Sequence, residues 1–194
     1  MLRDKLKGVR IVLASGSPRR QQFFRDLDVD FEIRVREVEE VYPPGLQSHE
    51  IPEFLCKLKA GAFPDLAPDE LLVTSDTIVW HRNRALGKPV DFDDAMNILR
   101  ALQGDMHEVI TSVCFKSAGR ADIITETTRV LFNSLDDDAL KYYLEHYRPY
   151  DKAGAYGIQD WIGLVGVARI EGSYANVMGM PVDRVYQYLK SFTP

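Results

Sequence analysis

Cysteine is scarce in this chain: Cys56 and Cys114 are the two among 194 residues. Both stand in apolar contexts and form no CxxC, which argues against a disulfide framework or a thiolate metal site and for buried free thiols in a reducing compartment. Histidine is thin as well. His49, His81, His107 and His146 are scattered over different segments without a metal-ligand spacing such as HxxxH. No stretch approaches the roughly 20 apolar residues of a membrane helix, so no membrane association is expected. The opening MLRDKLKGVRIVLAS holds too short an apolar stretch for a secretory leader, and a cytoplasmic location follows as the expectation. A basic excess is also missing, with 24 Lys and Arg against 29 Asp and Glu and a formal charge of −5. That balance argues against a general nucleic-acid binder but leaves room for a nucleotide enzyme, in which a few local cations hold phosphate. The GxxxxGK[ST] phosphate loop and the GxSxG nucleophile elbow are both absent.

What is present is ordinary globular material. Hydrophobic residues make up 45% and charged residues 27%, enough to bury a core, and the length suits one domain over residues 1–194. Apolar, β-branched runs alternate with helical periods. Val9 to Ala14, Phe31 to Val35, Leu71 to Trp80 and Leu164 to Ile170 read as strands, and RNRALG after Trp80 reads as a turn into a short returning stretch. Val109 to Phe115 and Ile123 to Phe132 flank the polar KSAGRAD and resemble a hairpin. Helices are expected over Pro18 to Leu27, around Ile51, Phe54, Leu55 and Leu58, around Ala95 to Leu102 behind the acidic Asp91, Asp93 and Asp94, around Leu140 to Tyr147 behind Asp136 to Asp138, and over Val182 to Leu189. Hairpins among interspersed helices imply a mixed sheet in an α/β fold.

Four segments carry the chemistry, and a fifth is structural. In LASGSPRR a strand runs through Ser15 and Gly16 into Ser17, a good N-cap, and Pro18, suited to the first helical position. Arg19 and Arg20 then occupy a first turn whose dipole disfavours cations, an arrangement that suits phosphate binding. In SDTIVW, Asp76 lies inside apolar surroundings, where a carboxylate must be paired, hydrogen-bonded or metal-bound. Lys88 follows on the GKP turn, as an ion-pair partner or a phosphate clamp. In EVEEVYPPG, Glu40 could join a metal site if its loop folds over Asp76, and Lys59 flanks the apolar face of its helix and points partly inward. DKAGAYGIQ is rich in small residues and ends on Gln159, which can both donate to and accept from a base edge. GSYANVMGMPV reads as a structural loop before the closing helix.

These segments, in this order, resemble the Maf family of nucleotide pyrophosphatases, also called septum-formation-inhibitor-like proteins, over nearly the whole chain. The resemblance implies a curved mixed β-sheet flanked by helices, with two lobes around a cleft, similar in architecture to inosine-triphosphate pyrophosphatases. It implies hydrolysis of a nucleoside triphosphate between the α and β phosphates with Mg²⁺, or another divalent cation such as Mn²⁺. Ser15, Arg19, Arg20, Lys59, Lys88 and Gln159 correspond to substrate-binding positions, and Asp76 and Glu40 to the catalytic and metal-binding carboxylates. GIQ resembles the branch acting on dTTP and UTP. Two departures stand out: Ser75 where alanine is usual, and Asp160 where glycine commonly follows GIQ. The alternatives are a house-cleaning pyrophosphatase for modified nucleotides such as 7-methyl-GTP, and a nucleotide-binding regulator of cell division. A homodimer is a family-level expectation.

Overall fold

A computed structural model describes residues 1–193. In chain order the elements are α1 (Leu2–Lys5), β1 (Arg10–Leu13), α2 (Pro18–Asp26), β2 (Phe31–Ile33), α3 (Glu50–Gly61), β3 (Glu70–His81), β4 (Arg84–Leu86) and α4 (Phe92–Leu102). They continue as β5 (Met106–Lys116), β6 (Ala121–Phe132), α5 (Asp137–Tyr147), a 3-10 turn (Ala153–Ala155), α6 (Trp161–Gly166), β7 (Val167–Glu171), α7 (Tyr174–Val177) and α8 (Val182–Ser191). Strand order is β2-β1-β3-β5-β6-β7, with β4 paired to β3. β1 runs parallel to β2 and β3, whereas β4 is antiparallel to β3 and β7 antiparallel to β6. The sheet is therefore mixed and the class α/β, as the pattern of runs and periods implies. Among the described residues, no helix is long and apolar enough to cross a membrane.

The chain divides into two compact units, each built from separate segments. The first takes Met1–Asp76, Thr111–Glu126 and the segment from Gly179 onward. Here alternate residues of β1 and β3 serve two cores. Ile11, Leu13, Leu71 and Val73 pack with Phe24 of α2 and with Val185 and Leu189 of α8. Val12 and Leu72 face the other way, against Cys56 and Ala60 of α3 and Cys114 of β5. Burial on both faces is why these strands read as unbroken apolar runs rather than alternating ones. Both cysteines are free and buried, and burial pushes the Cys56 thiol up to about 12, so it stays protonated at neutral pH.

The second unit takes Thr77–Ile110 and Thr127–Met178. Leu99 and Leu102 of α4, Leu140 and Tyr143 of α5, Val130 and Phe132 of β6 and Ile162 of α6 fill its core. The acidic helix starts act as expected: Asp91 accepts from Asp94 N at 2.8 Å and Asp136 from Ala139 N at 2.9 Å. Three sequence readings need correction. Leu164 to Ile170 is not one strand, because α6 occupies Trp161–Gly166 and pairing with β6 begins only at Val167, opposite Phe132. Residues before Val167 lie beyond the end of β6 and coil instead, burying Ile162 and leaving Leu164 82% exposed. The GSYANVMGMPV segment contains α7, capped by Ser173, whose Oγ accepts from Asn176 N. Asn176 is buried and donates to Val109 O and Thr128 Oγ1, both at 3.0 Å, so the structural role expected of this segment is carried by an amide. Helix α1 has no counterpart in the sequence reading.

His107 is buried in this unit, with Nε2 2.7 Å from the Tyr156 hydroxyl and its ring edge-on to Phe132 and Tyr156. Burial, helped by His81, holds its pKa down to about 3, against 6.5 for an ordinary histidine. Below the ordinary value the unfolded chain takes up a proton that the folded chain refuses, so stability is lost as pH falls toward about 3. The slope is about 1.4 kcal/mol per pH unit for one proton. Urea unfolding between about pH 6 and pH 4 should show a shallower decline in His107→Gln than in the parent, by that one-proton slope. Equal slopes would mean His107 is charged in the fold.

Candidate active site

The turn after β1 begins with Ala14, whose N–H extends the pairing to Val73 O at 2.9 Å. Ser15 is buried and its Oγ accepts from Ser17 N at 3.2 Å, while Gln21 Nε2 donates to Ser15 O. Ser17 is the N-cap of α2 in extended conformation and Pro18 follows at the first helical position, as read. The hydroxyl at work is that of Ser15, however; the Ser17 side chain does not cap. No acid occupies the first turn, and Arg19 and Arg20 lie there half-buried. Arg20 commits two donors to backbone: Nε to Gly179 O and Nη1 to Ser75 O, each at 2.9 Å. Burial lowers its pKa, opposed by the neighbouring Asp76, and a guanidinium stays charged through such a shift. Arg20 thus fastens the helix start to the strand residue just before Asp76.

Asp76 sits on β3 and is 6% exposed. Lys59 Nζ lies 2.6 Å from Asp76 Oδ1 and 3.0 Å from Glu40 Oε1, so one ammonium joins two carboxylates. Lys59 belongs to the last turn of α3, next to the buried Ala60, and its side chain is 16% exposed, pointing partly inward as expected. Thr74 Oγ1 donates to Cys56 O at 2.7 Å and locks α3 against β3 two residues from Asp76. Glu40 arrives on the loop after β2. That loop is held to the end of α3 by Arg36, which donates to Ala62 O at 2.6 Å and lies 4.9 Å over the Phe63 ring. The loop therefore folds over Asp76, the condition under which Glu40 can take part. Burial raises the Asp76 pKa, with Lys59 and Arg20 pulling the other way. The carboxylate is consequently more basic than an exposed one.

Among the described residues, no three His, Cys, Asp or Glu are grouped to hold a metal. Two carboxylates converging on one cation are nonetheless a fit for Mg²⁺, which commonly takes one or two protein carboxylates and fills its shell with water and substrate phosphates.

The remaining two residues lie in the second unit. Lys88 is exposed on the turn after β4, with Pro89 buried behind it. Gly87 O accepts from Gly154 N at 3.0 Å, which stitches GKP to DKAG. Gly154 has φ +72°, and a Cβ there would meet Val79 Cγ2 at 2.7 Å. Gln159 is exposed, and its Nε2 donates to Asp160 Oδ1 at 3.1 Å. Asp160 Oδ2 accepts from Tyr143 Oη at 2.8 Å, and Tyr143 Oη accepts from Gly157 N at 3.0 Å. The structure therefore brings Ser15, Arg19, Arg20, Glu40, Lys59 and Asp76 into one unit and Lys88 and Gln159 into the other. Tyr143 and the carbonyls of Ser75 and Gly179 escaped the sequence reading. Tyr143 shows only as one apolar step of a helical period, and backbone acceptors leave no trace in a sequence.

Comparison with known proteins finds relatives along the whole chain. A protein of Flavobacterium psychrophilum named dTTP/UTP pyrophosphatase is 58% identical over 194 residues, covering 100% of both chains. Proteins of the same name from Flavobacterium johnsoniae and Christiangramia forsetii are 57% and 49% identical, covering 97% and 98% of this chain and 98% and 97% of theirs. Among solved structures, a HAM1 protein from Coxiella burnetii covers 95% of this chain and 100% of its own at 14% identity and a TM-score of 0.47, too slight a likeness to carry weight. The family model described as Maf-like protein matches residues 10–192, and with it the chain belongs to the Maf family.

Proposed function

We propose that this protein hydrolyses dTTP and UTP to the nucleoside monophosphate and pyrophosphate. The names of its full-length relatives support the substrate, and one observation supports the chemistry. That observation is the buried Asp76, of raised basicity, bridged to Glu40 through Lys59 and flanked by Arg20. A triphosphate carries about four negative charges at neutral pH, so charge must be neutralised before water can attack phosphorus.

In this reading Asp76 and Glu40 would hold Mg²⁺, which when bound supplies Lewis-acid charge neutralisation on phosphate oxygens. Asp76 orients the attacking water and accepts its proton. The water oxygen bonds to the α-phosphorus, the bond to the bridging oxygen breaks, and pyrophosphate leaves. Lys59 holds Asp76 ionised and aimed, Arg19 and Arg20 keep the helix start positive, and Lys88 serves as a phosphate clamp from its turn. Gln159 reads the base edge. The buried free thiols support a cytoplasmic setting for the reaction.

A turnover panel of dTTP, UTP, CTP, ITP and 7-methyl-GTP, with and without Mg²⁺, tests this. Monophosphate and pyrophosphate, formed fastest from dTTP and UTP and lost on chelation, are expected; diphosphate and phosphate as products would overturn the bond assignment. Gln159→Ala should lower the preference for UTP over CTP by about tenfold or more, the scale of one bidentate base contact. An unchanged ranking would remove Gln159 as base reader.

A further inference from the structure

The hydrogen-bond chain around Asp160 has a direction, and that direction fixes which way the Gln159 amide faces. Gly157 N–H donates to Tyr143 Oη at 3.0 Å. The Tyr143 hydroxyl proton is then directed to Asp160 Oδ2, at 2.8 Å, and it stays on the tyrosine because burial, in the first place, raises the Tyr143 pKa. An ionised carboxylate only accepts, so Asp160 Oδ1 can meet only the NH₂ end of Gln159, at 3.1 Å. The pair lies directly on Gly157, where a Cβ would come within 2.5 Å of Asp160 Oδ2 and 2.6 Å of Gln159 Nε2. Gln159 is exposed, so the outer edge of its amide, one carbonyl oxygen beside one N–H, faces solvent in a fixed sense.

From this we infer that Asp160 is a specificity-determining positioning residue, selecting 4-oxo over 4-amino pyrimidine nucleotides by setting the sense of the Gln159 amide. The inference rests on Gln159 meeting the base. Uracil and thymine present an N3–H donor beside a carbonyl acceptor; cytosine presents an N3 acceptor beside an amino donor. An amide edge of fixed sense matches the first pattern and puts donor against donor and acceptor against acceptor on the second. A freely flipping amide would serve both. The glutamine alone therefore does not discriminate; its anchored orientation does.

Asp160→Asn tests the idea with almost no change of shape. The oxygen of the introduced amide remains on the Tyr143 hydroxyl, which leaves its NH₂ group facing Gln159 and calls for the glutamine oxygen there. The Gln159 amide is reversed. The ratio of kcat/KM for UTP over CTP should fall by at least about tenfold, with the CTP value rising. Tyr143→Phe keeps the acceptor-only carboxylate and should keep the ratio. Asp160→Ala, which frees the amide to present either sense, should lower the ratio with a smaller gain for CTP than Asp160→Asn gives, and it stands in if the asparagine variant does not fold. Each ratio compares two substrates on one preparation, so a general loss of structure does not move it. If Gln159→Ala lowers the ratio and Asp160→Asn and Asp160→Ala do not, the inference fails while base reading by Gln159 stands. If Gln159→Ala leaves the ratio unchanged, the base-reading assignment itself fails and takes the inference with it.

Discussion

Turnover of dTTP by Asp76→Asn should fall by about 10²-fold or more, the usual loss when a general base is removed. The amide keeps the shape and the hydrogen-bond reach of the side chain but can neither accept the water's proton nor neutralise Lys59, which lies 2.6 Å away. The loss should appear in kcat at saturating nucleotide, since the phosphate-gripping cations are untouched. The parent's pH profile checks the same residue from another side. A carboxylate base works above its pKa and fails as pH falls through it. Burial raises this one, so the acid limb should lie above the ordinary value of 3.8 and should disappear from the variant's residual rate. The fold should survive. A carboxyl whose pKa is higher folded than unfolded stabilises the protein only at acid pH, and that contribution is gone once pH has risen through its folded pKa. At neutral pH the ionised group is a cost, so the variant's melting temperature should not drop. Near-parental turnover in Asp76→Asn would sink the assignment.

The largest stability effect is expected from Gly163→Ala. A Cβ at Gly163 would stand 1.8 Å from Ile158 O and 2.5 Å from Ile158 C. These are backbone atoms with nowhere to go: Ile158 is buried in the second unit's core, and Gly157 beside it is bonded to Tyr143 Oη and, through its carbonyl, to Asp160 N. Overpacking against a fixed backbone should cost about 3 kcal/mol. For a chain of this size that is roughly 6–12 °C in melting temperature. Because any relief moves the Gln159–Asp160 segment, kcat/KM for UTP should fall in the same variant even below its melting point. A melting temperature within a degree of the parent would show that α6 tolerates a side chain here.

The difference between what could and could not be read in advance is one of range. Strands covered on both faces announce themselves as unbroken apolar runs, and this made β1 and β3 legible around Ile11 to Leu13 and Leu71 to Val73. The acidic runs at Asp91, Asp93 and Asp94 and at Asp136 to Asp138 marked their helices because a helix start favours acids within its first turn, and the first residue of each run caps its helix. Leu164 and Val165 misled for the same reason turned round. They look like strand residues locally, and only the end of β6 at Phe132 leaves them outside the sheet. In the candidate site, the motifs named Arg20, Lys59 and Asp76, but not that Arg20 binds Gly179 O, 159 positions away. Nor did they show that Tyr143 orients Asp160 from 17 positions away. Such pairings depend on how elements close on one another, and residue spacing does not carry that.

The interrupted make-up of the first unit has a consequence for the order in which the protein becomes able to work. Synthesis delivers Ser15, Arg20, Glu40, Lys59 and Asp76 early, but Val185 and Leu189 of their core, and the Gly179 carbonyl that takes the Arg20 guanidinium, emerge only at the end. A nascent chain halted before residue 179 holds every reactive group of that unit without the wall that aims them. The closing segment, from Gly179 through α8, is therefore the last piece needed before these side chains can take up the arrangement that their own elements begin.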